Sequence, residues 1–226
     1  MKGFDPSYML EALPDLLGYV PTTLLLAALA MVLSVAVGVV LALVRFTKVP
    51  VLNEVAIFYI SFFRGIPGLV MLFLIYYGLP QIIPGMRAVD ALTAAVVGLG
   101  LKEASYLAEI FRAALISVDR GQREAGLSLG LSHEQIYRRY ILPQAAYNAL
   151  PGTANVFIGL VKETSIVFTL GITDMFASAQ MVSAANLRYL ETYLMVGLLY
   201  WAIIFIFEQL VRVLEARMSR PYVRLT

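Results

Sequence analysis

Residues 119–143 read DRGQREAGLSLGLSHEQIYRRYILP, a polar segment in a chain that is otherwise apolar enough to lie in lipid. The segment carries four arginines, one histidine and three acids: Arg120, Arg123, Arg138, Arg139, His133, Asp119, Glu124 and Glu134. A membrane protein that interrupts its spans with a charged, helix-forming loop offers a docking surface to a molecule in the adjacent aqueous phase. We therefore expect the function to be concentrated in this segment.

The composition predicts an integral membrane protein. Of the 226 residues, 60% are hydrophobic and 14% are charged, whereas a soluble domain averages about 45–50% and about 25%. The absence of cysteine excludes disulfides, a thiolate nucleophile and a Cys-based metal site, and a single histidine excludes a His-rich metal site. The net charge of +2 is too small to indicate a nucleic acid partner.

The apolar windows predict an all-α protein with about five transmembrane helices and an additional cytoplasmic helix. A helix needs about 20 apolar residues to cross the hydrocarbon. The windows that approximately meet this length are residues 22–44, 55–79, 91–115, 150–172 and 193–211. Five spans place the two termini on opposite sides of the membrane.

Lysine and arginine predict the orientation, because cytoplasmic loops hold an excess of them. One set of loops holds eleven, namely Arg45, Lys48, Arg112, Arg120, Arg123, Arg138, Arg139, Arg212, Arg217, Arg220 and Arg224. The other set holds three, namely Lys2, Arg87 and Arg188. The amino terminus is therefore expected outside and the carboxyl terminus inside, with the polar segment in the cytoplasm.

The polar segment predicts two short helices with a break between them. Gly130 can end the first helix, and Ser132 with Gln135 matches a capping box for the second. The second helix should run from His133 to about Ile141 and end before Pro143, which disfavours helix in the preceding residue.

This second helix is amphipathic. Its apolar face carries Ile136, Tyr137, Tyr140 and Ile141, and the opposite face is charged. One interpretation is an interfacial helix that lies on the bilayer surface. The other is a helix that docks onto a protein in the cytoplasm.

The chain resembles a known family at this segment. The inner-membrane permease subunits of ATP-binding-cassette importers, in the polar amino acid uptake group, have a cytoplasmic loop with E-A-A, then a glycine, then I-x-L-P. Here Glu124, Ala125 and Gly126 are followed by Gly130 and by YILP at 140–143, with Gly126 in place of the usual alanine. Further similar segments are SFFRGIPGLVMLFLIYYGLP (61–80), SYLAEIFRAALISVDRGQ (105–122), KETSIVFTLGITDM (162–175) and YLETY (189–193).

The resemblance implies the type I importer permease fold. It implies an external or interfacial segment at residues 1–19, the transmembrane domain at 20–215 and a cytoplasmic tail at 216–226. It also implies that the loop at about 119–143 forms a coupling helix that docks into a cleft of a separate ATPase. The implied coupling residues are Glu124, Ala125, Gly126, Gly130, Ser132, Ile136, Tyr137 and Pro143.

The same resemblance implies the partners of the chain. They are two ATPase subunits, a second permease that is identical or a close paralogue, an extracytoplasmic amino-acid-binding protein and the lipid membrane. The chain contains no G-x-x-x-x-G-K-[ST] phosphate loop. We therefore expect a transport subunit of the inner membrane that is not an enzyme and binds no cofactor, with ATP and Mg on the partner ATPase.

Ionisable residues inside a span are functional hypotheses by default. Glu103 could hold the ammonium group of an amino acid, or the side chain of a cationic one, and Glu163 follows Lys162 in the same way in the fourth window. Lys102 lies about 100° from Glu103 around a helix, so we expect it to face a different neighbour. The alternative is that these four charges pair across helices and lock the bundle.

Arg64 precedes a Gly-Ile-Pro sequence that should break the second span. Broken backbone inside a membrane is tolerated only where protein or a water-filled cavity covers it. Ser61, Arg64 and Gly65 are therefore predicted to line the substrate path, where Arg64 could meet a substrate carboxylate. The alternative is a buried arginine paired with a carbonyl or a glutamate. Glu109 is expected to pair with Arg112.

Two other classes of function remain open at this point. A secondary transporter or channel could use the intramembrane carboxylates as proton relays, although the chain lacks a second inverted half. A membrane anchor that scaffolds an enzyme would need neither Glu103 nor a broken second span.

Overall fold

The computed structural model describes residues 4–219, and this part of the chain contains helices and no strand. The helices are α1 Pro6–Leu17, α2 Val20–Thr47, α3 Leu52–Gly65, α4 Gly68–Phe73, α5 Leu79–Ile82, α6 Ala91–Ile116, α7 Arg120–Ser128, α8 His133–Ile136, α9 Leu142–Glu163, α10 Met175–Asn186 and α11 Tyr189–Ser219. Wide π turns lie at Leu74–Gly78 and Tyr137–Ile141, and 3-10 turns at Pro84–Ala88 and Thr164–Leu170. The all-α class is confirmed.

Among residues 4–219, four helical segments are long and apolar enough to cross a membrane alone. They are Val20–Thr47, Ala91–Ile116, His133–Leu170 and Tyr189–Met218. The fifth is a bent pair, in which Leu52–Gly65 and Gly68–Ile82 meet at 109°. The prediction of about five spans is confirmed when this pair counts as one, and the predicted break at Gly-Ile-Pro is confirmed as well. Residues 220–226 of the predicted tail at 216–226, and three of the basic residues used for orientation (Lys2, Arg220 and Arg224), lie outside the described residues.

The prediction that a helix ends before Pro143 is wrong. The helix that begins at His133 continues through the proline as one segment of 38 residues. Ile141, just before the proline, keeps a helical conformation with φ −78° and ψ −52°. The wide turn at Tyr137–Ile141, closed by a bond from the Leu142 amide to the Tyr137 carbonyl, inserts an extra residue. It thereby relieves the clash that a proline ring makes with the preceding turn.

The centre of the bundle is formed by α2 packed along α6. Small residues bring the two backbones close together, as is typical of membrane helices. A Cβ at Gly38 would lie 2.9 Å from Leu107, and one at Gly100 would lie 2.7 Å from Leu33. The buried Ser34 hydroxyl donates across the interface to the Gly100 carbonyl at 2.9 Å. This bond holds α6 in register, and α6 carries Lys102 and Glu103.

The amino-terminal helix α1 is attached to the start of α11 by Arg188. Its guanidinium lies 3.0 Å from Glu191 and 3.5 Å from Asp5, and it lies 5.1 Å from the centre of the Tyr8 ring. The Asp5 amide also donates to the buried Glu191 carboxylate at 3.1 Å. Most of α11 is otherwise exposed and apolar, including Trp201, as expected for a helix that faces lipid.

Candidate functional site

The polar segment begins with α7, which ends in the way that its glycine predicts. Gly130 has φ +73°, the left-handed conformation in which glycine avoids the penalty of a side chain. Its amide donates to the Leu127 carbonyl at 2.9 Å, and the Leu131 amide donates to the Gly126 carbonyl at 3.0 Å. These two bonds are the Schellman motif that satisfies the last free carbonyls of a helix.

The next helix begins with the predicted capping box. The Ser132 hydroxyl accepts from the Gln135 amide at 3.2 Å, and the Gln135 side chain accepts from the Ser132 amide at 2.9 Å. Both bonds lie at the surface, so their role is to fix the angle between α7 and the following helix rather than to fill a core.

Gly126 and Ile136 join the two helices of the polar segment. Both residues are buried, and Ile136 is 0% exposed. A Cβ at Gly126 would lie 2.7 Å from the Ile136 side chain, so an alanine there would require a small shift of Ile136. Glu124 and Ala125, by contrast, are exposed on the outer side of α7. The two helices therefore pack tightly against each other at Gly126 and Ile136 and leave the outer side of α7 exposed.

A groove of about 530 Å³ runs between α7 and the π turn. Its polar wall includes Arg120, Arg123 and Glu124, and its apolar wall includes Tyr137 and Leu127. Of the predicted apolar face, Ile136 and Ile141 are buried, whereas Tyr140 is 45% exposed. Pro143 is exposed on the same long helix.

Three of the ionisable residues predicted inside the spans form one cluster. The Lys102 ammonium lies 2.9 Å from Glu103 Oε1 and 2.8 Å from Glu163 Oε1. The prediction that Lys102 faces a different neighbour from Glu103 is therefore wrong, because its flexible side chain returns to the adjacent carboxylate. The alternative of pairing across helices is confirmed for Lys102 and Glu163, whereas Glu103 pairs with Lys102 within α6. We call Lys102, Glu103 and Glu163 the ion triad.

Glycine makes room for this ion triad. Gly68 begins α4 directly against the Glu163 carboxylate, and a Cβ at Gly68 would overlap Glu163 Oε1 and lie 3.0 Å from its Cδ. Gly68 was not among the residues predicted for the path, and its position just after the predicted break is the only signal in the sequence that points to it.

Lys162, the fourth charge, takes no part in the ion triad. Its side chain is exposed, and it has no carboxylate within 4.0 Å in the part of the chain that the structure describes. The prediction that Lys162 pairs with a carboxylate on another helix is therefore wrong for the described part of the chain.

Ser61, Arg64 and Gly65 line one open cleft of about 540 Å³, together with Tyr106. The alternative of a buried, paired arginine is wrong, because Arg64 is exposed and has no carboxylate within 4.0 Å among residues 4–219. Its guanidinium lies 4.9 Å from the centre of the Tyr106 ring, and the Lys102 ammonium lies 5.6 Å from the same centre. Tyr106, which was not among the predicted site residues, thus connects the cleft to the ion triad.

At the other end of this cleft, Glu109 pairs with Arg112 at 2.6 Å, as predicted. A second cation, Arg45 from α2, approaches Glu109 at 3.5 Å and donates to Asn53 at 3.1 Å. The arrangement ties α2, α3 and α6 together below the cleft.

The comparison with known proteins identifies the family. A family model described as "Binding-protein-dependent transport system inner membrane component" matches residues 34–220. The chain belongs to this family. One relative, "Probable amino-acid permease protein YxeN" of Bacillus subtilis (strain 168), is 54% identical over 222 residues, covering 98% of this chain and 99% of the relative.

Two further similar proteins support the assignment. "Probable amino-acid ABC transporter permease protein PatM" of Vibrio harveyi is 49% identical, covering 98% of this chain and 100% of the relative. A solved structure described as "Crystal structure of an amino acid ABC transporter with histidines" is 36% identical, with a TM-score of 0.86 over 96% of this chain and 100% of that one. The type I importer permease fold is thereby confirmed, and the secondary transporter or channel is not favoured.

Proposed function

We propose that the chain is the transmembrane subunit of an ATP-driven importer for polar amino acids. The observation that carries the proposal is the single long helix from His133 to Leu170. It begins in the capped polar segment and carries Glu163 of the ion triad near its other end. Ile136 and Glu163 are separated by about 40 Å at 1.5 Å per residue.

This helix gives the two ends of the molecule a direct mechanical connection. A force applied to the exposed surface of α7 and α8 passes through Gly126 and Ile136 into the helix that holds Glu163. We propose Glu124, Ala125, Gly126, Gly130, Ser132, Ile136, Tyr137 and Pro143 as the coupling residues. The proposed substrate path comprises Ser61, Arg64, Gly65, Glu103 and Glu163.

The family supports partners of two kinds, an ATPase and a binding protein. We propose two ATPase subunits in the cytoplasm, a second permease subunit that completes the path, and an external amino-acid-binding protein. ATP and Mg would be bound by the ATPase. The excess of basic residues on one side favours an inner-membrane protein with its amino terminus outside and its carboxyl terminus in the cytoplasm.

The test is assembly with the cognate ATPase followed by uptake in proteoliposomes. The wild-type permease should retain the ATPase during purification and take up labelled amino acid only with ATP and the binding protein present. Glu124→Lys reverses a charge on the exposed face of α7, and Gly130→Pro cannot adopt φ +73°. Both should reach the membrane and fail to couple ATP hydrolysis to uptake.

A charge reversal elsewhere on the surface is the matched control. Glu11 is exposed on α1, so Glu11→Lys should retain the ATPase and couple ATP hydrolysis to uptake as the wild type does. Normal transport by both coupling variants would refute the proposed role of the polar segment.

A further inference from the structure

The two carboxylates of the ion triad are already occupied by a cation of the chain itself. The Lys102 ammonium meets Glu103 Oε1 at 2.9 Å, Glu163 Oε1 at 2.8 Å and Glu163 Oε2 at 3.0 Å. Of the three N–H donors of an ammonium group, one donates to Glu103 Oε1 and one to Glu163 Oε2, and Glu163 Oε1 adds an ion-pair contact. The side chains are only 13%, 9% and 19% exposed for Lys102, Glu103 and Glu163. A substrate ammonium would have to displace Lys102 to reach either carboxylate.

Two other cations nearby, Arg64 and Lys162, have no such partner among residues 4–219. Both are exposed, and neither approaches a carboxylate within 4.0 Å in the described part of the chain. Arg64 is the last residue but one of the first half of the bent pair, and Lys162 lies inside the helix His133–Leu170. A charged side chain that faces lipid within a span is costly, so charged side chains of spans face the interior of a helix bundle or a water-filled cavity.

The charges around the path therefore add up to a net positive value. Arg64, Arg45 and Glu109 line the cleft, and Arg112 pairs with Glu109. Together with the ion triad they contribute four positive charges against three negative ones. Lys162, next to Glu163 in the sequence, is a further positive charge. Tyr106 connects the ion triad to Arg64, because the Arg64 guanidinium and the Lys102 ammonium both lie over its ring. A low-dielectric passage lined by one sign of charge concentrates ligands of the opposite sign and rejects ligands of the same sign.

We infer that Lys102 determines the charge selectivity of the path, by filling the carboxylate pair so that Arg64 and Lys162 remain free to bind substrate carboxylates. The substrate class is then amino acids that carry a second carboxylate, and cationic amino acids are excluded. This inference rests on the proposed function. It reverses the preference that Glu103 alone would suggest.

The test measures direct binding of labelled amino acids to the assembled permease–ATPase complex. The binding protein is left out, so that the measured affinity is that of the permease. The probes are labelled L-glutamate, L-glutamine and L-arginine. The wild-type complex should bind L-glutamate at least about tenfold more tightly than L-arginine, because a charge-assisted hydrogen bond contributes about 10- to 100-fold in affinity. L-glutamine should fall between them.

Two variants should move the selectivity in different ways. Lys102→Met frees both carboxylates and should raise L-arginine affinity while lowering L-glutamate affinity, so that the order inverts. Lys162→Met removes an exposed cation without unpairing a carboxylate, and should lower L-glutamate affinity about tenfold with no gain for L-arginine. Lys102→Arg keeps the positive charge and should keep the wild-type order.

Lys162→Met keeps the inference testable if Lys102→Met does not fold, since Lys162 packs against no carboxylate in the described part of the chain. Tighter binding of L-arginine than of L-glutamate by the wild type, or no binding of any probe, would overturn the inference. Failure of the proposed function looks different, because the permease would then not assemble with the ATPase at all.

Discussion

The substitution Gly68→Ala adds one methyl group beside Glu163 and thereby tests whether the ion triad stabilises the protein. A Cβ there would overlap Glu163 Oε1 and lie 3.0 Å from Glu163 Cδ. The Glu163 carboxylate is mostly shielded and is held by Lys102 at 2.8 Å. We therefore expect Gly68→Ala to push the carboxylate off the Lys102 ammonium and leave that ammonium with Glu103 alone.

The magnitude follows from the charged hydrogen bond and the ion-pair contact that the added methyl group would break. The Lys102 ammonium lies 2.8 Å and 3.0 Å from the two oxygens of Glu163, and a hydrogen bond to a charged group contributes about 1.5–3 kcal/mol. We take the net cost as about 2 kcal/mol, since part of the carboxylate's hydration is recovered. In a chain of this length each kcal/mol shifts the melting temperature by about 2–4 °C. The expected fall is therefore about 4–8 °C.

Gly65→Ala is the matched control, because Gly65 lies at the same break and a Cβ there would meet nothing within 4 Å. Thermal unfolding of the purified proteins in detergent should show a fall for Gly68→Ala and none for Gly65→Ala. In a Lys102→Met background the same Gly68→Ala change should cost much less, because the ion pair is already absent. Equal melting temperatures for the two alanine variants, or an undiminished fall without Lys102, would refute the reasoning.

Three further predictions concern the two ends of the molecule. Ser132→Ala removes a helix cap of about 1 kcal/mol and should reduce ATP-dependent uptake in proteoliposomes, whereas Ser128→Ala, whose hydroxyl bonds only within its own helix, should not. Arg188→Ala removes the cation that attaches α1 to α11 and should increase hydrogen exchange across α1; unchanged exchange would contradict this. The Ser7 hydroxyl and amide hold the pKa of Asp5 below its usual 3.8. The Asp5–Arg188 ion pair should therefore persist from pH 7 to pH 5 and be lost only as the pH falls below 3.8, which exchange of α1 at each pH will check.

Local signals predicted the polar segment correctly because each of them acts within one helical turn. Gly130 supplies a positive φ between neighbouring helices, and the Ser132–Gln135 box satisfies free amides three residues apart. The break after Arg64 was predicted by a local signal as well, because the glycine and proline of Gly-Ile-Pro determine the backbone conformation at their own positions. Pro143 misled the prediction because the π turn before it changes the geometry on which the rule depends.

The ion triad could not be predicted in this way. Lys102 and Glu163 are 61 residues apart in the chain, and the room for their pairing comes from Gly68 on a third segment. Helical spacing fixes where a Cα–Cβ bond points, but a lysine has a flexible four-carbon stem and its ammonium can return to an adjacent residue. A carboxylate inside a span therefore indicates a site for a cation without indicating which cation fills it. Here the cation belongs to the protein, and this inverts the charge of the substrate that the same glutamates suggest when they are read alone.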